Sequence, residues 1–169
     1  DTASVTNNGN LRLDVTGGGT ETIAGLSGTG SVWVPLGNNN LHTLVVGAGN
    51  ATSTFAGQFG PAGQNNAFLA LEKTGTGTFT LTNNNLYGAG STISQGTLRT
   101  TSTTGLGSGT VTLGDAGTGA NDVQLTLAAA GNVGDDIVVS NNGTGTATIF
   151  GESQYRSHTG TITLNRETI

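Results

Sequence analysis

A chain of 169 residues has the length of a single domain. Its net charge is −5 and its five Lys and Arg residues are scattered, which excludes the cationic cluster that nucleic acid or an anionic membrane surface requires. Only 9% of the residues are charged and 33% are hydrophobic, too few for a thick central core, and the absence of Cys excludes disulfides and thiol chemistry.

Short strands follow one another along the chain. Thr, Val, Ile and Leu alternate with small or polar residues at a period of two, and Gly-Thr-Gly or Asn-rich turns separate these segments. No window has the 3.6-residue period of a helix. Strands are predicted at residues 10–15, 22–26, 31–36, 41–46, 67–72, 77–82, 91–94, 96–99, 109–113, 122–128, 136–140, 145–150 and 160–164.

Residues 51–66, ATSTFAGQFGPAGQNN, form the least regular segment of the chain. Phe55, Phe59 and Pro61 stand there among small and polar residues. Gly and Pro of this kind are typical of turns. We therefore predict a lateral loop between two coils.

Two architectures contain many short strands. An antiparallel sandwich places strands about every 8–12 residues, whereas a parallel β-helix places several strands in each coil of about 20 or more residues. Asn clusters at 38–40, 83–85 and 141–142 favour the β-helix, because amide side chains of adjacent coils can stack at its corners. We predict an all-β fold, a right-handed parallel β-helix (β-solenoid) of about seven or eight coils, with residues 1–169 as a single segment.

Residues 71–99, LEKTGTGTFTLTNNNLYGAGSTISQGTLR, contain the most regular unit, which recurs loosely as GTVTLG, GTATIF and GTITLN. This unit resembles the autotransporter-associated β-strand repeat of bacterial passenger domains. Residues 72–99 match best: Lys-Thr-Gly-x-Gly-Thr, an Asn-rich turn, an aromatic residue with Gly, and a final Gly-Thr-Leu occur in the family's order. Tyr87-Gly88 replaces the common Tyr-Thr-Gly. The resemblance implies a β-helix that is secreted or displayed on the bacterial surface, with a structural or adhesive role.

The rival hypothesis is a β-helical enzyme, a lyase or hydrolase, that acts on polysaccharides. Its only plausible acids are Asp115, Asp122, Asp135 and Asp136, which lie close enough in sequence to form a carboxylate cluster on one face. Asp122 and Asp135 stand in Gly- and Asn-rich contexts that are typical of turns. We therefore favour a protein that is not an enzyme, with no catalytic residue assigned.

No metal ion or cofactor is predicted. Gly114-Asp115-Ala116-Gly117 is a single imperfect copy of a calcium-binding β-roll motif, and calcium requires six or more oxygen ligands. His42 and His158 are far apart and lack partners at metal-binding spacing. We expect His42 to face outward from its strand and His158 to lie in a polar loop.

Alternation within the strands predicts which side chains enter the core. Trp33 alternates with Val32 and Val34. If both Val side chains point inward, Trp33 is exposed and is a possible contact for a sugar or a protein. Packing of Trp33 beneath a loop is the favoured alternative. The Thr, Gly or Gln neighbours of inward residues are expected to face solvent. Inward positions are predicted for Phe79, Leu81, Ile93, Leu98, Val111, Leu113, Leu125 and Leu127.

The ends of the sequence carry no recognisable cap. Residues 1–10 and 165–169 lack a polar or amphipathic capping pattern, and an uncapped coil exposes unpaired backbone groups. The expected partners are therefore flanking solenoid coils or further copies of the chain, stacked end to end into fibres, with glycans of a host or cell surface as another expected partner. Nucleic acid and membrane insertion are not expected, because no apolar run approaches the roughly 20 residues that span a bilayer.

Overall fold

The computed structural model describes residues 3–14, 16–152 and 157–166, and within these ranges the chain forms short strands and no α-helix. Two 3-10 turns, Ala48–Asn50 and Asn66–Phe68, lie between strands. The nineteen strands of the described ranges are β1 (Ser4–Thr6), β2 (Asn10–Arg12), β3 (Gly19–Ile23), β4 (Gly25–Ser27), β5 (Ser31–Trp33), β6 (His42–Val46), β7 (Ser53–Phe55), β8 (Gln58–Phe59), β9 (Leu69–Lys73), β10 (Thr78–Leu81), β11 (Ser91–Ile93), β12 (Gly96–Thr100), β13 (Val111–Leu113), β14 (Val123–Leu127), β15 (Asn132–Val133), β16 (Ile137–Val139), β17 (Ala147–Gly151), β18 (Ser157–His158) and β19 (Ile162–Leu164).

All thirteen predicted strands overlap observed strands. The prediction missed β1, β7, β8, β15 and β18, each of which contains only two or three residues. Val15, at the end of one predicted strand, and residues 1–2 and 167–169, at the ends predicted to be uncapped, lie outside the described ranges.

The strands stack in parallel into a β-solenoid. Seven of them form one continuous sheet in the order β3-β6-β9-β11-β13-β16-β19, and a second sheet has the order β7-β10-β12-β14-β17. A third side is covered by β2-β5-β8 in the first part of the chain and by β15-β18 near its end. The core lies between these sides, because alternate residues of each strand point inward.

Six full coils separate β3 from β19, fewer than the seven or eight that the sequence led us to expect. Register partners on neighbouring coils are 20 residues apart at Ser91 and Val111 but 27 apart at His42 and Leu69. The longer coils accommodate extended corners, so the same chain length makes fewer coils. The all-β parallel solenoid is confirmed, while its right-handed sense stays a prediction.

The eight residues predicted to point inward are all buried, each with at most 6% of its surface exposed. They stack on their register partners in neighbouring coils, as Leu113 stacks between Ile93 and Val139. The expectation that their neighbours face solvent is wrong at Thr80 and Thr126, which are only 9% and 3% exposed. Both Thr residues lie on the second sheet, where outward side chains of adjacent strands cover one another.

The predicted lateral loop at 51–66 is wrong over its first half. This segment contributes β7 and β8 to the solenoid, and both Phe55 and Phe59 are fully buried. The Phe59 ring meets those of Phe55, Phe79 and Tyr87 at centroid distances of 5.4, 6.4 and 5.7 Å, in edge-to-face arrangements. Such pairs are favourable for aromatic rings, and they make Phe59 the centre of an aromatic core that joins two coils.

Asn85 connects three consecutive coils at one corner. Its Oδ1 accepts a hydrogen bond from the Phe59 N–H at 2.8 Å, its Nδ2 donates to the Gly105 carbonyl at 2.6 Å, and its side chain is 1% exposed. At another corner the Asn65 Nδ2 donates to Asn39 Oδ1 at 2.9 Å. Contacts between amide side chains of adjacent coils, as predicted for the Asn clusters, thus occur at 38–40. In the cluster at 83–85, the Asn85 side chain bonds backbone groups of the adjacent coils instead.

We expect Asn85→Ala to lower the free energy of unfolding by about 2–4 kcal/mol, because it leaves a buried N–H and a buried carbonyl without a partner, each costing about 1–3 kcal/mol. Urea denaturation measures the loss, and amide exchange at Phe59 should accelerate. The control is Asn84→Ala, since Asn84 is exposed and, within the described ranges, its side chain bonds Ser102 alone across coils. Equal stability of the two variants would contradict the bridging role of Asn85.

Candidate functional site

The four predicted acids lie at two different corners of the solenoid. Asp115 and Asp122 belong to the loop 114–122 between β13 and β14, whereas Asp135 and Asp136 precede β16. Among the described residues, no three His, Asp or Glu side chains are placed to hold a metal ion. The acids are thus divided between the corner before the second sheet and the corner before the seven-stranded sheet.

Two of these acids hold neighbouring coils together. Asp122 Oδ1 accepts the Thr146 N–H at 2.7 Å, and Asp136 Oδ1 accepts the Thr161 N–H at 2.8 Å, in each case from the next coil. Asp135 lies next to Asp136 in the same turn, and partial burial raises the pKa of the Asp135 carboxyl group. These contacts are the ones expected of turn residues that satisfy backbone donors at strand starts.

Asp115 has an acidic neighbour that the sequence did not reveal. The Ser94 Oγ lies 2.9 Å from Glu72 Oε1 and 2.8 Å from Asp115 Oδ2, so one hydroxyl bridges carboxylates from the coils on either side. A hydroxyl has one proton and donates to one carboxylate at a time. Spacings of 22 and 21 residues, close to one coil, are the only sequence signal for this trio.

Arg99 and Lys73, the cations that precede the acids in the chain, are both engaged in structural contacts. The Arg99 guanidinium forms a bidentate pair with Glu152, at 2.7 and 2.6 Å. Lys73 is fully buried, and its Nζ donates to the carbonyls of Thr74, Gly75 and Gln95 at 2.6, 2.7 and 3.2 Å. Because Gln95 belongs to the next coil, Lys73 joins two coils from inside the corner.

Close packing around the Lys73 corner requires a glycine. Gly47 has φ +116°, and a Cβ there would stand 1.9 Å from the Thr74 carbonyl oxygen and 3.1 Å from Lys73 Nζ. Any other residue would be strained in this left-handed conformation and would push the coils apart. The Lys side chain and the glycine opposite it therefore form one packed corner.

Stability should depend on pH through Lys73 and Tyr87. Burial lowers the pKa of Lys73 from 10.5 to about 8. Between these pH values the unfolded chain binds a proton that the folded chain does not. The free energy of unfolding therefore rises with pH across this interval, by at most about 3 kcal/mol. Burial raises the pKa of the Tyr87 hydroxyl above 10.0, so the unfolded chain ionises first and stability falls at higher pH. We expect maximal stability at about pH 10.

Urea denaturation between pH 7 and 11 measures this profile. Lys73→Met should flatten the rise, and Tyr87→Phe should weaken the fall while it also removes the 2.6 Å hydrogen bond to Ser91 Oγ. A wild-type profile that is flat up to pH 10 would show that Lys73 keeps its ordinary proton affinity.

Trp33 and His42 lie in the first half of the solenoid. Trp33 is half-buried between the buried residues Val32 and Val34, and the Arg12 guanidinium covers its ring at 5.9 Å from the centroid. His42 is 1% exposed, so the expectation that it faces outward is wrong. It has the same parity as the inward residues Leu44 and Val46, and its Nε2 lies 3.0 Å from Asn38 Nδ2.

A polar groove lies beside the start of the second sheet. It encloses about 610 Å³ and is lined mainly by Thr, Gln and Asn side chains, with Asp122 as the charged residue among its described lining. No helix in the described ranges is long and apolar enough to cross a bilayer.

Comparison with known proteins identifies the repeat. Residues 71–99 match the model of the passenger-associated-transport-repeat family, and these residues include the predicted repeat at 72–99. Over 119 residues the chain is 35% identical to the adhesin BmaC autotransporter of Brucella suis biovar 1 (strain 1330), an alignment that covers 66% of this chain and 3% of that protein. The chain thus spans a small fraction of the relative it matches. No solved structure matches the chain.

The matched residues include several that connect neighbouring coils. Residues 71–99 include β10, β11 and most of β12, the buried Lys73 and Tyr87, and Asn85 at its three-coil corner. The motif residues are therefore those that connect one coil to the next. Residues 71–99 of this parallel β-solenoid are thus a passenger-associated-transport-repeat, and the chain is similar to part of an autotransporter adhesin.

Proposed function

We propose that this chain is a structural or adhesive segment of an extracellular β-solenoid, secreted or displayed on the surface of a bacterium. The observation that carries the proposal is the seven-stranded parallel sheet, which runs through every coil above a continuous apolar core. Such an arrangement makes a stiff rod, because each coil is hydrogen-bonded to the next. The passenger repeat and the adhesin relative support a surface location.

Surface display is tested on cells that make the chain naturally. Antibodies raised against the folded chain should label intact cells or the culture medium, and external protease should remove the label from cells. A control antibody against a cytoplasmic protein should label only permeabilised cells. If the solenoid antibody behaves like this control, the proposed location is wrong.

End-to-end partners are part of the same proposal. The outer edge of β19 has no strand partner in the described ranges, and its Ile162 and Leu164 are 44% and 63% exposed. Flanking coils of the same protein or a second copy would cover these side chains and continue the ladder. Light scattering and electron microscopy should show assembly that increases with salt, because the net charge of −5 opposes stacking. A monodisperse monomer at all salt concentrations would exclude stacking of copies.

We propose that the chain is not an enzyme. Three of the predicted acids, together with Glu72, are engaged in hydrogen bonds within or between coils, which supports a structural assignment. Incubation with neutral and acidic polysaccharides, with and without calcium, should release neither reducing ends nor unsaturated products. Turnover that is lost on Asp115→Asn would establish the enzyme hypothesis instead.

A further inference from the structure

The polar groove crosses four consecutive coils. Its lining runs from Thr76 through Gln95 and Asp122 to Thr146, each from the same corner of a successive coil. The loop 114–122 supplies one wall, because it is longer than the corner 94–95 of the preceding coil. A groove of this shape follows the solenoid axis and suits an elongated ligand.

The floor of the groove is a ladder of outward-facing polar side chains. Register places Thr97, Gln124 and Thr148 side by side on β12, β14 and β17, at a strand spacing of about 4.8 Å. Within the described ranges, the Thr97 and Thr148 hydroxyls and the second carboxylate oxygen of Asp122 have no hydrogen-bond partner. Between these two hydroxyls, the Gln124 Nε2 donates to Thr126 Oγ1 at 2.8 Å, so Gln124 offers its Oε1 as an acceptor.

Charge and polarity narrow the class of ligand. No Lys or Arg is found among the described lining residues, and Asp122 together with the net charge of −5 repels anionic polymers. The lining has no aromatic residue and no exposed large apolar side chain, so a lipid or an apolar peptide would bury little favourable surface there. The remaining class is an uncharged, elongated molecule that is rich in hydroxyl groups.

We propose that this groove binds a segment of an uncharged polysaccharide, laid along the solenoid axis across β12, β14 and β17. The inference rests on the proposed surface role, since a surface rod meets polysaccharides outside the cell. It extends that role from a rod to a rod with a defined binding face. The hydroxyls of successive sugars would meet the Thr97, Gln124 and Thr148 side chains in turn.

The test is titration of the 169-residue chain with neutral hexasaccharides of glucose and mannose, followed by NMR chemical-shift mapping and calorimetry. We expect a Kd of about 1 mM or tighter for at least one of them, with shifts confined to the groove. The double variant Thr97→Val with Thr148→Val should weaken binding by about tenfold, because it removes two hydroxyl contacts while it keeps side-chain shape.

The matched control is Thr92→Val with Thr112→Val. These two residues are also half-buried and face outward, and they lie side by side on β11 and β13 of the seven-stranded sheet. The control should bind like the wild type. The proposal is overturned if no neutral hexasaccharide binds, if both double variants lose affinity equally, or if polygalacturonate or a peptide binds in preference. Surface labelling is measured separately, so an empty groove would leave the proposed rod intact.

Discussion

Replacing Leu113 with Asp is expected to leave the chain unfolded at neutral pH. Leu113 is fully buried between Ile93 and Val139 of the neighbouring coils, and a carboxylate there would have no water and no cationic partner. The new carboxyl group would either stay ionised without a partner or take up a proton at neutral pH, and either cost adds to the loss of the buried Leu side chain, against a native stability of about 5–15 kcal/mol. Circular dichroism and urea denaturation should show loss of the cooperative transition.

The control is Thr112→Asp, one residue away on the same strand. Thr112 points outward between Thr92 and Val138, so the new carboxylate would stay hydrated. Its cost should remain within about 1 kcal/mol, the range of strand propensity. Thr112 is a better control than Thr80, which is only 9% exposed despite its outward position. If Thr112→Asp unfolded the chain and Leu113→Asp did not, the inside–outside assignment of this sheet would be inverted.

Phe59→Ala should lower the free energy of unfolding by about 3–5 kcal/mol, the cost of removing a buried aromatic ring and leaving a cavity. The Phe59 ring touches three other aromatic rings and is fully buried, so its neighbours cannot close the space without losing their own contacts. Calorimetry and urea denaturation measure the change. Coils on both sides of the aromatic core should be destabilised together, because the rings join them.

Phe150→Ala is the matched control. Phe150 lies on β17, is 50% exposed and stands outside the aromatic core around Phe59. Its loss should therefore change stability by about 0.5 kcal/mol or less. Equal losses for the two variants would mean that the segment 51–66 does not contribute to the core, as its irregular sequence suggested.

Much of the solenoid could be predicted because its rules are local. A period of two identifies the inward side chains, so Leu98 and Leu125 were placed in the core from their alternation with polar neighbours alone. Gly and Asn turns separate the strands in the same way. The repeat at 72–99 combines both signals in a recognisable order, and the family model matches the same residues.

Other features depend on which coil lies next to which. Residues 51–66 offered little alternation, yet Phe55 and Phe59 fill the core because β7 and β8 add onto strands of neighbouring coils. The solenoid has six coils between β3 and β19, fewer than expected, because long corner loops add residues to some of the coils. Neither effect is visible in a window of a few residues.

The sequence by itself determined the class of fold, the inward face of most strands and the absence of a cationic or thiol-based site, since composition and alternation act over a few residues. Only the tertiary structure decided that Lys73 lies inside a corner and that Ser94 joins Glu72 to Asp115. It also decided that the ladder of outward-facing polar side chains on β12, β14 and β17 forms the floor of a groove. These contacts join residues about one coil apart, and the register separation between coils varies from 19 to 27 residues along the chain. Register between coils, set by backbone hydrogen bonds and close packing, brings those side chains together.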